Sequence, residues 1–210
     1  MWIAASITSG DLSRLAEMAE AAQAGGADWI HLDIEDGVFV PTFTVGPRVV
    51  SGIRRATRLP LEVHLQTVRP DRWVEMIASA RPDRLIVHVE GPDDIRCTLE
   101  RIRSLGVDTG LALLPGSPVE LLEPLVGQVH LVTVLSAGLE DGEFKVQALD
   151  KVRRLRAWGV GVEVDGGVTP QVMPLVECAG ATAVVAGRAI FGQGVDRVAE
   201  AIAALRRRGP

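Results

Sequence analysis

Cysteines, basic runs and long apolar segments are all scarce in this sequence. Its two cysteines, Cys97 and Cys178, lack a Cys-x-x-Cys spacing and are too few for a disulfide framework. We expect them to be inert core thiols in a reducing compartment. No apolar run approaches the roughly 18 residues that a membrane span needs, and no basic stretch typical of a leader opens the sequence. We therefore expect a cytoplasmic protein without a membrane partner.

An excess of positive charge is missing as well. The chain has 22 Lys and Arg against 27 Asp and Glu, a net charge of −5. A mildly acidic chain has no general attraction for nucleic acid. Its one dense basic cluster, the three arginines at 206–208, ends a predicted helix, where positive charge is stabilising. No nucleic-acid partner is expected.

Regular alternation of short apolar runs with amphipathic stretches is the main positive signal. The 210 residues are 47% hydrophobic and 23% charged, enough to form one core without cross-links. We expect a single domain over 1–210. Strands are predicted at 2–6, 29–34, 61–66, 85–89, 110–114, 129–135, 160–165 and 183–186, and helices at 11–24, 47–56, 71–80, 93–105, 118–126, 146–158, 170–179 and 195–208.

Eight strand-helix units predict a (β/α)8 TIM barrel. Several strands are apolar on consecutive residues, as strands covered on both faces are. A doubly wound open sheet is the competing architecture. It requires a Gly-rich phosphate-binding turn after the first strand, and residues 6–11 do not supply one.

Polar side chains at the carboxyl ends of barrel strands face the substrate. His31 and Asp33 lie two apart and therefore on one face of the second strand, while His64 and Asp165 end the third and seventh strands. Any one of these residues taken alone is more simply explained as a buried core histidine or as a carboxylate in a salt bridge. Together, two imidazoles and two carboxylates predict a site for one divalent metal ion, with Zn²⁺, Fe²⁺, Mn²⁺ and Co²⁺ all open.

These same residues carry a family resemblance. Residues 31–41 read His-Leu-Asp-Ile-Glu-Asp-Gly-Val-Phe-Val-Pro, and His64-Leu65 and residues 164–168 (Val-Asp-Gly-Gly-Val) follow. The sequence resembles the ribulose-phosphate 3-epimerase family over nearly its whole length, and the predicted barrel is then of the ribulose-phosphate-binding type. The resemblance implies a homo-oligomer.

The resemblance also implies a reaction: metal-dependent inversion of the carbon beside a ketose carbonyl through an enediolate. Asp33 and Asp165 are then the acid/base pair and, with His31 and His64, the metal ligands. The strand positions agree, because carboxylates from separate strands can flank a planar intermediate on opposite faces. The expected partner is a small sugar or sugar phosphate.

The sequence departs from the family around the substrate. Three methionines that line the family's pocket correspond to Glu35, Gln66 and a polar or small residue near Thr133, and two glycines of its phosphate-binding loop correspond to Glu140 and Asp141. A serine of the family becomes Arg188. The substrate-binding residues expected from the resemblance are Ser6, Glu35, His64, Gln66, Ser136, Gly138, Gly166, Gly167, Gly187 and Arg188.

Several alternatives stay open. Arg188 either binds an anion at the distal end of the substrate or pairs with Glu140 or Asp141, which leaves room for an unphosphorylated substrate. The same chemistry also serves isomerisation, dehydration or decarboxylation in a divergent homologue. A non-catalytic descendant is disfavoured by the four intact ligands. His88 and Glu90, near the end of the fourth strand, are expected to be core or supporting groups.

Overall fold

The computed structural model describes residues 1–91, 94–137 and 142–207. Eight parallel strands form a closed barrel in sequence order, and β1 pairs with both β2 and β8. The predicted (β/α)8 architecture is confirmed. The strands are β1 (Trp2–Ser6), β2 (Trp29–Glu35), β3 (Leu61–Gln66), β4 (Arg84–His88), β5 (Asp108–Leu113), β6 (Leu131–Leu135), β7 (Gly161–Asp165) and β8 (Ala183–Ala186).

Helices cover the outside of the barrel and begin where the sequence carries start signals. Pro47 occupies the first turn of its helix, where a missing N–H costs nothing, and the Asp94 side chain accepts a hydrogen bond from the Cys97 amide. The helices are α1 (Leu15–Ala24), α2 (Pro47–Ala56), α3 (Val74–Ala78), α4 (Ile95–Ser104), α5 (Ala148–Ala157), α6 (Met173–Cys178), α7 (Arg188–Phe191) and α8 (Val198–Arg206).

The helices differ most clearly from those expected in three places. The helix expected at 118–126 is replaced by two 3-10 turns, Val119–Leu122 and Val126–Gln128, because prolines and glycines interrupt this crossover. The helix expected at 170–179 begins only at Met173. A short helix not predicted, α7, follows β8 directly.

Most apolar side chains pack between the strands and the helices, while the barrel interior is largely polar. The main core joins the outward faces of the strands to the helices. Inside the barrel, a separate small apolar cluster consists of Ile86, Ala112 and Leu135. The interior positions of β2, β3 and β7 hold charged and imidazole side chains instead. This distribution places the chemistry inside the carboxyl end of the barrel.

The cysteine prediction is wrong in one respect. Cys97 and Cys178 are both free thiols, as expected, but both are exposed rather than buried in the core. Within residues 1–91, 94–137 and 142–207, no helix combines the length and apolar character needed to cross a membrane.

Candidate active site

Strand register brings the four predicted ligands together. Asp33 on β2 lies directly opposite His64 on β3, and His31 precedes Asp33 by two residues on the same inner face. Asp165 ends β7. Each of the four offers a ligand atom, and these atoms all lie within 4.8 Å of one another.

The spacing of these atoms suits a metal ion. His31 Nε2 is 3.1 Å and His64 Nδ1 is 3.3 Å from Asp33 Oδ1, and His64 Nδ1 is 3.6 Å from Asp165 Oδ2. Ligand atoms lie about 2.0–2.2 Å from an ion such as Zn²⁺, which places neighbouring ligand atoms roughly 3–3.5 Å apart. Two nitrogens and two carboxylate oxygens at this spacing could hold one divalent ion.

An unpartnered nitrogen points to the same conclusion. His64 is fully buried, yet its Nδ1 has no hydrogen-bond partner, although it faces two carboxylates. Burial lowers the pKa of His64, but Asp165 and Asp33 outweigh it, so the pKa lies above its usual value. The protein alone therefore favours a positive charge here, which a bound cation would also provide.

The Asp33 carboxylate is held by donors on both oxygens. Ser6 Oγ and Thr8 Oγ1 each donate to Oδ2 at 2.9 Å, and Gln66 Nε2 donates to Oδ1 at 3.0 Å. Burial would raise the pKa of Asp33, but His31 and other neighbours outweigh it and hold the pKa well below its usual range. Asp33 is therefore ionised at neutral pH.

Asp165 lies in a more open setting. Its side chain lines the cavity, and the nearby Ser136 hydroxyl bonds to the backbone carbonyls of Asp165 and Gly166 rather than to the carboxylate. Ser136, expected to bind substrate, is fully buried and does not line the cavity. Since its hydroxyl is committed to the backbone, it braces the end of β7 instead.

His31 is oriented from beneath by a carboxylate. Its Nδ1 is 2.9 Å from Glu62 Oε1, and Arg84 donates to the other Glu62 oxygen at 3.2 Å. Burial and the Glu62 charge raise the pKa of Glu163 well above its usual value, which favours its neutral form, and it accepts a hydrogen bond from Thr133 at 2.9 Å. Thr133 therefore supports this lower cluster instead of lining the cavity.

His64 is oriented by a longer chain that the sequence did not reveal. His64 Nε2 is 3.0 Å from His88 Nε2, and His88 Nδ1 is 3.0 Å from Glu90 Oε2. The other Glu90 oxygen accepts from the Leu114 amide at 2.7 Å. Burial lowers the pKa of His88 to about 4, so the ring is neutral at pH 7. The alternating pattern of β4 places His88 inside the barrel, but only the structure shows its partner.

The loop after β2 covers this edge of the site. Asp36 Oδ1 accepts hydrogen bonds from the amides of Val38 and Phe39 at 2.9 and 2.8 Å, and Oδ2 accepts from Val68 at 2.8 Å. The Phe39 ring packs against His88 with centroids 4.7 Å apart. One carboxylate thus ties the loop to the segment after β3.

A cavity of about 740 Å³ is lined by Asp33 and Asp165, while the two histidines of the cluster are fully buried. Gly166, Gly167 and Gly187 line its distal end. A Cβ at Gly187 would lie 2.1 Å from Ser9 Oγ, and Gly167 has a φ of +67° with Phe144 N 2.5 Å from its ideal Cβ position. Only glycine fits such close approaches. Arg188 also lines the cavity, donates to the Gly142 carbonyl, and is the only Lys or Arg among the described lining residues.

Three of the remaining predicted residues line the cavity, and one lies outside the described part of the chain. Glu35 and Gln66 lie opposite each other in the β2–β3 register and both line the cavity. Burial raises the pKa of Glu35, and the charges of Asp33 and Asp165 raise it further. Ser6 lines the cavity too. Gly138 lies outside the described residues, as do 140–141, the alternative partners considered for Arg188.

Comparison with known proteins addresses the family directly. The model of the ribulose-phosphate 3 epimerase family matches residues 2–191. The chain belongs to this family. A ribulose-phosphate 3-epimerase of Synechocystis sp. is 41% identical and aligns over 97% of this chain and 92% of its own length. One from Bacillus subtilis is 37% identical over 91% and 92%.

The epimerase family is also consistent with the fold comparison. A solved 3-hexulose-6-phosphate synthase superimposes with a TM-score of 0.75 at 18% identity, covering 96% of this chain and 99% of the other. At that identity the likeness shows only the shared barrel. The predicted family and its class, an isomerase acting on carbohydrates, are confirmed.

Proposed function

We propose that this protein inverts C3 of a phosphorylated ketopentose, ribulose 5-phosphate, in a reaction that requires one divalent metal ion. The observation that carries the proposal is the cluster of His31, Asp33, His64 and Asp165, whose two carboxylates line one cavity. The names of the relatives support the substrate.

The two carboxylates have complementary roles in the proposal. Asp33 comes from β2 and Asp165 from β7, so they approach a bound sugar from different sides. One removes the C3 proton from one face, and the other delivers a proton to the opposite face of the planar intermediate. Ser6, Thr8 and Gln66 fix the orientation of Asp33 by donating to its oxygens.

The cation site would use His31 Nε2, His64 Nδ1 and one oxygen each of Asp33 and Asp165. A bound Zn²⁺, Fe²⁺, Mn²⁺ or Co²⁺ would stabilise the negative charge that develops on the sugar oxygens when the proton leaves. Glu62 orients His31 for this purpose through its contact with Nδ1.

Arg188 is assigned to the distal phosphate. Its guanidinium fork suits a phosphate group, and it stands at the cavity end formed by Gly166, Gly167 and Gly187. The three glycines allow the substrate to approach the backbone closely.

The first test is turnover of ribulose 5-phosphate in D₂O, followed by NMR after loading with each metal separately. We expect conversion to xylulose 5-phosphate with one deuterium at C3, at about 1 per second or faster. Absence of both turnover and exchange, in protein shown to contain one metal per chain, would contradict the proposed substrate.

Replacing either carboxylate by its amide tests the two-sided mechanism. We expect Asp165→Asn and Asp33→Asn each to lower kcat about 100-fold or more. The remaining carboxylate can exchange only the proton on its own face, so one variant should place deuterium in ribulose 5-phosphate and the other in xylulose 5-phosphate, in each case without forming the epimer. Metal content is measured for each variant. Asp150→Asn, on the exposed face of α5, is the matched control and should retain full activity.

A second candidate substrate is a ketose without phosphate. Asp33, Glu35, Glu143 and Asp165 all line the cavity against the single Arg188, and a neutral sugar avoids placing phosphate near so many carboxylates. Faster turnover of unphosphorylated pentuloses or hexuloses than of ribulose 5-phosphate would favour this candidate. The same NMR assay distinguishes them.

We also propose that the enzyme is one domain, works in the cytoplasm and self-associates. The exposed free thiols of Cys97 and Cys178 suit a reducing compartment, and the family resemblance supports a homo-oligomer. Light scattering after size exclusion tests the last point: a mass of 22.4 kDa, that of one chain, would contradict self-association.

A further inference from the structure

A buried chain of hydrogen bonds leads away from His64 toward the edge of β5. The bonds join His64 Nε2 to His88 Nε2 at 3.0 Å and His88 Nδ1 to Glu90 Oε2 at 3.0 Å. Leu114 donates its amide proton to Glu90 Oε1 at 2.7 Å. Neither His88 nor Glu90 lines the cavity, so neither is placed to contact a substrate bound there.

The two imidazole rings are nearly parallel and offset, with their Nε2 atoms nearest each other. Their centroids are 5.0 Å apart and their planes differ by 17°, while the two Nε2 atoms are much closer, at 3.0 Å. Face-to-face rings could not show this difference. A single proton therefore lies between the nitrogens of His64 and His88.

The direction of every bond in the chain follows from its far end. Glu90 accepts from a backbone amide and, as a carboxylate, can only accept from His88 as well. His88 Nδ1 must then carry its proton, which leaves Nε2 of the neutral ring as an acceptor. His64 Nε2 must be the donor, so in the neutral ring that binds a cation the lone pair of His64 is on Nδ1. That is the nitrogen without a partner in the described structure.

We propose that Glu90 and His88 are positioning residues that fix the proton of His64 on Nε2 and so keep Nδ1 free to bind the cation. The inference rests on the proposed metal site. It assigns to the chain the same task that Glu62 performs for His31 by direct contact.

The variant Glu90→Gln tests the direction of the chain with almost no change in shape. In this variant the Leu114 amide still donates its hydrogen bond to the side-chain oxygen, so the new NH₂ group faces His88 Nδ1. His88 must then accept at Nδ1 and carry its proton on Nε2. That proton points at His64 Nε2 and moves the proton of His64 to Nδ1, where it opposes metal binding.

The first readout is metal affinity, measured by competition with a chromophoric chelator using Zn²⁺ and Co²⁺. We expect E90Q to weaken binding about 10- to 100-fold. Glu120→Gln makes the same chemical change on the exposed surface, beside Arg154, and should bind as the unaltered protein does. Unchanged affinity in E90Q would overturn the inference.

The second readout is the position of the protons, from ¹⁵N NMR of protein labelled in its four histidines and loaded with Zn²⁺. In the unaltered protein we expect His88 to carry its proton on Nδ1 and His64 on Nε2. A proton on His88 Nε2 would overturn the inference without any variant. In E90Q we expect the His88 proton on Nε2; weaker metal binding with that proton still on Nδ1 would mean that charge alone is responsible, and would overturn it too.

These outcomes separate the inference from the proposed function. If the unaltered protein binds no divalent ion, both fail. If it binds the ion and E90Q binds equally well, only the role of Glu90 and His88 fails, and the assignment of the four ligands stands.

Discussion

Arg188 is the only lysine or arginine among the described residues that line the cavity. Among the described residues its guanidinium donates to the Gly142 carbonyl, a neutral acceptor, and this one bond leaves further N–H donors for an anionic group. Gly187 just before it packs against Ser9 and admits no side chain. The position of Arg188 at the start of α7 is therefore fixed by the close approach of two backbone segments.

Removing this side chain should affect binding more than chemistry. We expect Arg188→Ala to raise KM for ribulose 5-phosphate about 10- to 100-fold, because a charge-assisted hydrogen bond contributes about 1.5–3 kcal/mol. kcat should change much less. Steady-state kinetics measure both, with Arg153→Ala on the exposed face of α5 as control. An unchanged KM would show that Arg188 does not contact the substrate.

At the residue scale, the sequence was informative wherever side chains had to converge at strand ends. His31, Asp33, His64 and Asp165 were predicted from strand position alone, and the structure brings them together. The roles of Ser136 and Thr133 could not be predicted in this way, because each depends on which neighbouring strand its hydroxyl reaches. The His88 chain depends likewise on contacts between strands.

At the scale of elements, the loop between β2 and α2 depends on one carboxylate. Asp36 accepts three backbone hydrogen bonds, two within the loop and one from Val68 after β3. Later in the loop, the Thr44 hydroxyl donates a hydrogen bond to the Asp33 carbonyl oxygen at 2.8 Å. The loop is thereby held against the catalytic ends of two strands.

Asp36→Asn should weaken this attachment in a manner that depends on pH. The amide cannot accept from the Val68 amide as the carboxylate does, and we expect a loss of about 1–3 kcal/mol of unfolding free energy at pH 7. Burial raises the pKa of Asp36, but backbone donors outweigh it and hold the pKa below its usual value.

The sign of the pH effect follows from that lowered pKa. A carboxyl group with a lower pKa in the folded state contributes fully above its unfolded pKa of about 3.9 and loses its contribution as the pH falls through the folded value. The difference between the unaltered protein and D36N should therefore shrink below about pH 4. Urea denaturation at pH 7 and at pH 3.5 measures it; an equal difference at both would contradict this role.

Element boundaries show where sequence patterns fail. All eight strands were predicted within a few residues, since buried parallel strands give continuous apolar runs. The crossover between β5 and β6 was assigned one helix, yet the structure has two 3-10 turns, Val119–Leu122 and Val126–Gln128. Its apolar spacing resembles a helix, but Pro124 and Gly127 prevent a continuous one.

At the scale of the whole molecule, the candidate metal centre joins distant parts of the barrel. Its ligands come from β2, β3 and β7 and include the carboxylates of Asp33 and Asp165, while Glu62 beneath them adds a further buried carboxylate. Such charge is costly to bury unless it is paired. A bound cation should therefore stabilise the fold as well as serve the reaction.

Metal loading should raise the stability of the protein measurably. At a free ion concentration 100 times Kd, the expected gain is about 2.7 kcal/mol, or roughly 5–10 °C in Tm for a chain of this size. Calorimetry with and without a chelator measures the shift. Asp165→Asn should show a smaller one, and an equal shift in D165N would argue that the ion binds elsewhere.

The pairing of β1 with β8 has a consequence for synthesis. While the chain emerges from the ribosome, one edge of β1 has no partner until residues 183–186 have been made, and contacts so far apart in sequence form slowly. The cavity needs Ser6 from one end and Gly187 from the other. A nascent chain therefore exposes an unpaired strand edge for most of its translation, and gains a complete cavity only after its last strand is released.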